Sequence, residues 1–243
     1  MRLQTALTII LPFFVYWPDN PYASIGQIPL PAGYERVPAP PGSFAAWLRQ
    51  LPLKKDKTVH LYNGLPKINQ SAQFAVLAVS VGDKDLQQCA DAVMRLRAEY
   101  LYGCGRTDEI DFADNSHTHY RLPAGAGRQD FDQYLEKVFT RCGTLSLSAQ
   151  LQPKDIRKIA PGDVFIYGAS PGHAMLVTDV AVNKSGQTIF LLSQSYMPAQ
   201  EIHVVVNPAN RSLSPWYKVN EAAALETPEW TFSTRQLKSW STP

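Results

Sequence analysis

Cys89, His173 and Gln194 are the side chains whose types and settings can be joined into one reaction. A thiol is a poor nucleophile until it loses its proton, and a helix N-terminus or a nearby imidazolium lowers its pKa. An imidazole within hydrogen-bond reach takes that proton as base and returns it as acid. A third polar group holds the imidazole in one tautomer. Cys89 follows Gln88 near the start of a stretch with helical periodicity. His173 follows Gly172 and opens the apolar run 174–182. The next apolar run, 188–195, ends in Ser193-Gln194-Ser195. Cys89, His173 and the polar pair Ser193-Gln194 are thus the candidates for such a reaction. The Cys89 backbone N–H and the Gln88 side chain are the candidates for stabilising an oxyanion. Asp91 and Arg95 either line a cleft beside Cys89 or form, with Glu99, an exposed ion-pair ladder at i, i+4, i+8.

Each residue has a plainer reading. Cys89 shares an apolar face with Val93 and Leu96, and free cysteine is among the most buried residue types. Cys142 is the alternative thiol, 31 residues before His173, at a helix end where the dipole disfavours a thiolate. Cys104 lies between glycines in a loop. His117 and His119 could share a metal on one face of an extended segment, but no third ligand accompanies them. His203 reads as cross-strand packing, and Asp163, after Gly162, as a turn residue.

These side chains need a scaffold. Ser43 is placed to cap a short helix over 43–51. Residues 74–81 form a continuous apolar run, read as a buried strand. A helix is expected over about 84–102, capped by Asp83 or Asp85, with Leu86, Cys89, Val93, Leu96 and Tyr100 on one face. A second covers about 130–142, and a short one 153–158. Strands are expected at 164–167, 174–182, 188–195 and 201–206, with a hairpin loop at 183–186. Helices precede antiparallel strands, so the class is α+β.

The chain has 243 residues, 18% charged and 45% hydrophobic, with a net charge of +2. That length fits a single domain over 25–243 and supplies enough core without disulfide staples. The weak, scattered charge gives no basis for a nucleic-acid partner. Three cysteines are no disulfide framework, and none has Cys-x-x-Cys spacing, so no zinc site or other cofactor is implied. Arg2 and the apolar run 7–17 resemble the start of a secretory signal over 1–24, too short for a stable membrane span. Export to a periplasmic or secreted location follows as an expectation. Residues 18–45 carry seven prolines, read as an extended arm.

The string PGDVFIYGASPGHAMLVTDVA, residues 161–181, resembles the Pro-Gly-Asp to Gly-His strand pair of the CHAP and NlpC-type cysteine amidases and peptidases. Gln88-Cys89 resembles the Gln-Cys pair that opens the catalytic helix of CHAP domains. The resemblance implies a papain-like frame, an antiparallel sheet packed against helices. It also implies Cys89 as nucleophile, His173 as base and Gln194, or Ser193, as orienter, and a cell-wall peptide as ligand or substrate. From about residue 30 onward the chain is also similar to the domain of unknown function 4846 family. The strings DLQQCADAVMRLRAEYLY, GTLSL, PGDVFIYG and QSYMPAQEIHVVVNP carry that similarity, which implies no activity. The alternative function is a non-catalytic binding or structural module on a hydrolase-like frame, or an acyltransferase with the same thiol chemistry.

Overall fold

The computed structural model describes residues 19–221 and 224–242. Most of the signal-like segment therefore lies outside the described residues. The strands in chain order are β1 (Tyr34–Arg36), β2 (Gln73–Val76), β3 (Asp111–Ala113), β4 (His119–Arg121), β5 (Gln152–Pro153), β6 (Val164–Tyr167), β7 (His173–Asn183) and β8 (Thr188–Gln194). They are followed by β9 (His203–Val205), β10 (Tyr217–Lys218), β11 (Leu225–Glu226), β12 (Thr231–Phe232) and β13 (Leu237–Ser239). The helices are α1 (Phe44–Gln50), α2 (Cys89–Gly103), α3 (Arg128–Arg141) and α4 (Thr144–Gln150). Among the described residues no helix is long and apolar enough to cross a membrane.

The class is α+β. Its centre is an antiparallel sheet in the order β2-β9-β8-β7-β6-β13-β5, with β1 added beside β7 and β10 beside β8. Strands alternate their side chains between faces. Val164, Ile166, Ala174, Leu176 and Leu191 therefore join one buried cluster, with Leu48, Val93, Met94 and Leu147 from the helices. Phe165, Met175, Val177, Phe190 and Leu192 join the other, with Phe232 and Leu237. Both faces of β7 are covered, which is why its sequence is a continuous apolar run rather than an alternating one. By the same parity His173 and Gln194 point to the second face, toward the β11–β12 hairpin.

Helix α2 differs from its expected form. It begins at Cys89, not near Lys84, with Gln88 as its N-cap. Residues 84–88 are held in tight turns by Leu86 N–H to Lys84 O, 2.8 Å, and Gln88 N–H to Leu86 O, 2.7 Å. The Asp91 carboxylate accepts the Gln88 N–H at 3.0 Å. That bond satisfies a donor the helix cannot. Asp85 serves other groups: its Oδ1 accepts the Ala199 N–H at 2.7 Å and the Gln88 amide at 3.2 Å. The helix is buried nearly all round rather than on one face, because the sheet, α1, α3 and α4 all flank it. Ser43 caps α1 as expected, accepting the Ala46 N–H at 3.2 Å. The apolar run 74–81 yields only the short β2, because Leu77 and Ala78 pair singly with Ile202 and Pro52.

The proline-rich stretch is built into the domain instead of lying on it as an extended arm. Ile25 and Ile28 are fully buried. Arg36 in β1 and Arg49 in α1 both reach the buried Asp179 carboxylate of β7, through Nε at 2.6 and 2.7 Å. Prolines set the chain's direction here, but the two arginines and two isoleucines fix its position.

Candidate functional site

The site forms where β8 stops short of β7. Val177 gives its N–H to Asp163 O and its C=O to Gly162 N–H, both on the β6 side. Backbone direction alternates along a strand, so the Ala174 N–H points the other way, toward β8. By register Ala174 would face Ser195, but β8 ends at Gln194. Ser195 turns off, donating its hydroxyl to Gln200 O at 2.8 Å and sitting 2.9 Å from Gln87 O. Buried Cys89 packs at this edge: the backbone N–H groups of Ala174 and Ala90 lie near its sulfur and favour the thiolate, against the larger, opposite effect of burial. Cys89 is the first residue of α2, so the dipole of the helix acts on it directly.

His173 is the residue before Ala174. It is 1% exposed, packed by Tyr196, Trp230 and Phe232 at ring distances of 4.9, 5.3 and 5.8 Å. Tyr196 also lies within the electrostatic reach of Cys89. Gly172 is required by space. A Cβ there would lie 2.3 Å from Thr144 Oγ1, 2.4 Å from Ala169 O and 2.6 Å from Tyr167 O. Two of these are backbone atoms that cannot move away cheaply. Gly172→Ala is expected to cost about 2–3 kcal/mol in urea unfolding and to shift the His173 ring signals. An unchanged unfolding midpoint would refute that account of the Gly-His pair.

The polar network around Gln194 fixes every tautomer in it. His203 contacts Glu201 O through Nδ1 at 2.9 Å, so Nδ1 carries its proton. Its Nε2 is then an acceptor and takes one proton of the Gln194 amide, at 3.3 Å. The other proton goes to Glu229 Oε2 at 2.7 Å. Gln194 Oε1 is left to accept from His173 Nε2–H, at 2.8 Å. His173 Nδ1 therefore keeps its lone pair. Buried Lys67 completes the network with Nζ 2.7 Å from Glu229 Oε2.

Burial sets the protonation of this region. It pushes the Cys89 thiol up to about 11 and the His173 imidazole down to about 4. The resting pair is neutral on both sides. His203 is pushed down to about 3 by burial and by the Lys67 charge. Both imidazoles thus bind protons less readily in the fold than in the unfolded chain. Their contribution is complete above about pH 6.5 and is lost as the pH falls toward 4. Asp163 works in the opposite direction. Burial raises its carboxyl to about 6, so its proton favours the fold as the pH falls. The two effects overlap, and a difference measurement separates them. His203→Gln should shrink the stability change between pH 7 and pH 4 by about 3 kcal/mol relative to the native chain. Equal changes in both proteins would exclude a buried neutral His203.

The remaining candidates fall elsewhere. The Gln88 amide is engaged by Asp85. Asp91 is a helix cap rather than a rung of a ladder; burial raises its carboxyl well above the ordinary range, and its Oδ1 has no partner. Arg95 pairs with Glu99 at 3.0 Å and with Gln87 Oε1 at 3.1 Å. Cys142 follows α3, with its thiol pushed up to about 12 by burial. Cys104 is exposed and follows α2. His119 pairs with Asp111 at 2.9 Å on the exposed β3–β4 hairpin. Among the described residues there is no group of three or more His, Cys, Asp or Glu side chains arranged to hold a metal. Asp163 does fix its turn, accepting the Ala160 N–H at 2.7 Å. Sequence reasoning missed Lys67 and Glu229, and gave His203 and Trp230 no part in the site.

The family described as Domain of unknown function (4846) matches residues 26–122 and 113–239, a span that takes in every residue of this network. The chain belongs to that family. The two matched stretches of the DUF4846 domain overlap on the β3–β4 hairpin. No curated protein and no solved structure matches the chain. The local resemblance to CHAP and NlpC-type amidases receives no support from these comparisons.

Proposed function

We propose that this DUF4846 chain is an exported thiol hydrolase of amide bonds, with Cys89 as nucleophile, His173 as base and Gln194 as orienter. The observation that carries this reading is the seam between β7 and β8. There a buried thiol at a helix N-terminus lies near the backbone N–H of Ala174, the residue after a histidine whose Nε2 is already committed to Gln194. A papain-like frame fits the same facts: a cysteine opening a helix, a histidine opening a strand, and an orienter on the next strand.

The resting pair is neutral, so the reaction is general-base catalysis rather than attack by a standing thiolate. As Sγ bonds to the carbonyl carbon, its proton passes to His173 Nδ1. The Cys89 N–H would meet the developing oxyanion. His173 then gives the proton to the departing amine, leaving a thioester. Water, deprotonated by His173, attacks the thioester and releases the acid and the free thiol. Cell-wall peptides are the substrate class favoured by the resemblance of residues 161–181.

One observation favours a second reading, a binding or structural module. Cys89 is 8% exposed and His173 lies beneath Trp230, with a thiol pKa far above neutrality. Iodoacetamide labelling with mass-spectrometric site assignment separates the two. The hydrolase reading expects Cys89 to react at pH 7 faster than a thiol of pKa 11 allows, and His173→Ala to slow it. Equal, slow labelling of Cys89 in both proteins would leave the module.

A further inference from the structure

We infer that Glu229 is a positioning residue for His173, acting through the Gln194 amide; this rests on the thiol-hydrolase reading of the site. A glutamine is a weak orienter by itself, because its amide presents an acceptor or a donor after a half-turn. Only the Oε1-inward orientation accepts from His173 Nε2–H and leaves Nδ1 basic. The half-turned amide would donate to His173 Nε2, drive the proton to Nδ1 and remove the base.

Glu229 decides between the two. In the observed orientation its carboxylate accepts a proton of the Gln194 amide at 2.7 Å. In the other it would face the amide oxygen, two acceptors at contact in a buried place. His203 votes the same way, since its Nε2 is an acceptor. Glu229 is itself held by Lys67 Nζ at 2.7 Å and the Asn69 amide at 3.3 Å. The turn that carries it is closed by Thr227 N–H to Trp230 O, 2.9 Å. One turn thus delivers the carboxylate to Gln194 and the next residue, Trp230, to the His173 ring. The chain Lys67–Glu229–Gln194–His173 is a relay of orientation, not of protons.

The test reads the tautomer directly, in full-length ¹⁵N-labelled protein by long-range imidazole correlation at pH 7, with His173→Ala for assignment. The native chain is expected to show His173 protonated at Nε2 alone. Glu229→Ala should give a mixture with the Nδ1–H form and slow iodoacetamide labelling of Cys89 by the factor that the Nε2–H fraction falls, about twofold for an equal mixture. Glu229→Gln, whose amide oxygen Lys67 Nζ would hold toward Gln194, should keep both near the native values. If Glu229→Ala does not fold, Glu229→Asp, one methylene shorter, carries the same expectation. A pure Nε2–H tautomer in the alanine or aspartate variant overturns the inference. A Cys89 rate that His173→Ala leaves unchanged overturns the hydrolase reading instead, while a shifted tautomer would still support positioning by Glu229.

Discussion

On the proposed thiol-hydrolase reading, Cys89→Ala is expected to abolish hydrolysis of cell-wall peptide amides, and His173→Ala to lower it by about 10²–10⁴-fold, while Cys104→Ala and Cys142→Ala retain it. The asymmetry among the three thiols is the informative part. Of the three, only Cys89 opens a helix, with the backbone N–H groups of Ala174 and Ala90 near its sulfur. Cys142 is as poorly ionised but sits after a helix C-terminus, where the dipole opposes a thiolate. Cys104 is exposed and distant in sequence from any strand of the site. Liquid chromatography of released peptides, with folding checked by circular dichroism, makes the comparison. Full activity in Cys89→Ala would end the assignment, and loss in Cys142→Ala alone would transfer the role.

The second large effect concerns stability. Asp179→Ala should lower the unfolding free energy by about 3–5 kcal/mol in urea titration. The Asp179 side chain is fully buried and meets two guanidinium groups. Its Oδ1 also accepts the Val180 N–H at 2.9 Å. Removing the carboxylate leaves two largely buried cations without their shared partner, and their remaining bonds, to Ile28 O and Val37 O, do not neutralise charge. Asp179→Asn keeps the shape and loses only the charge, and should fall between. A loss below about 1 kcal/mol in the alanine variant would mean that the N-terminal segment is held by its isoleucines alone.

Much of this architecture is legible in the sequence. Strands β6, β7 and β8 lie within one or two residues of their expected bounds, because long apolar runs flanked by glycine and polar turns carry a strong signal. Adjacent antiparallel strands fix which ends meet, so the sequence brings His173 near Ser193 and Gln194, and it is the Gln194 side chain that His173 contacts, at 2.8 Å. The start of α2 was misread for a physical reason. Aspartate is the better N-cap, so Asp83 and Asp85 outweigh Gln88 by type. The fold instead spends Asp85 on Ala199, and caps α2 from inside through Asp91. Lys67 and Glu229 were illegible because 162 residues separate them and neither lies in a periodic segment. A buried lysine is visible only once the carboxylate that justifies it is in place.

β8 ends early, and that shortening has a consequence for attempts to strengthen the domain. Pairing one more residue of β8 with Ala174 would add a ladder bond, and a sequence optimised for strand pairing would take it. The added carbonyl would claim the Ala174 N–H, which now lies near the Cys89 sulfur, and crowd that side chain. On the proposed hydrolase reading, a stabilised variant of this sheet would then be a better β-structure and a worse chemical site. The missing rung is where reactivity and stability draw on the same hydrogen.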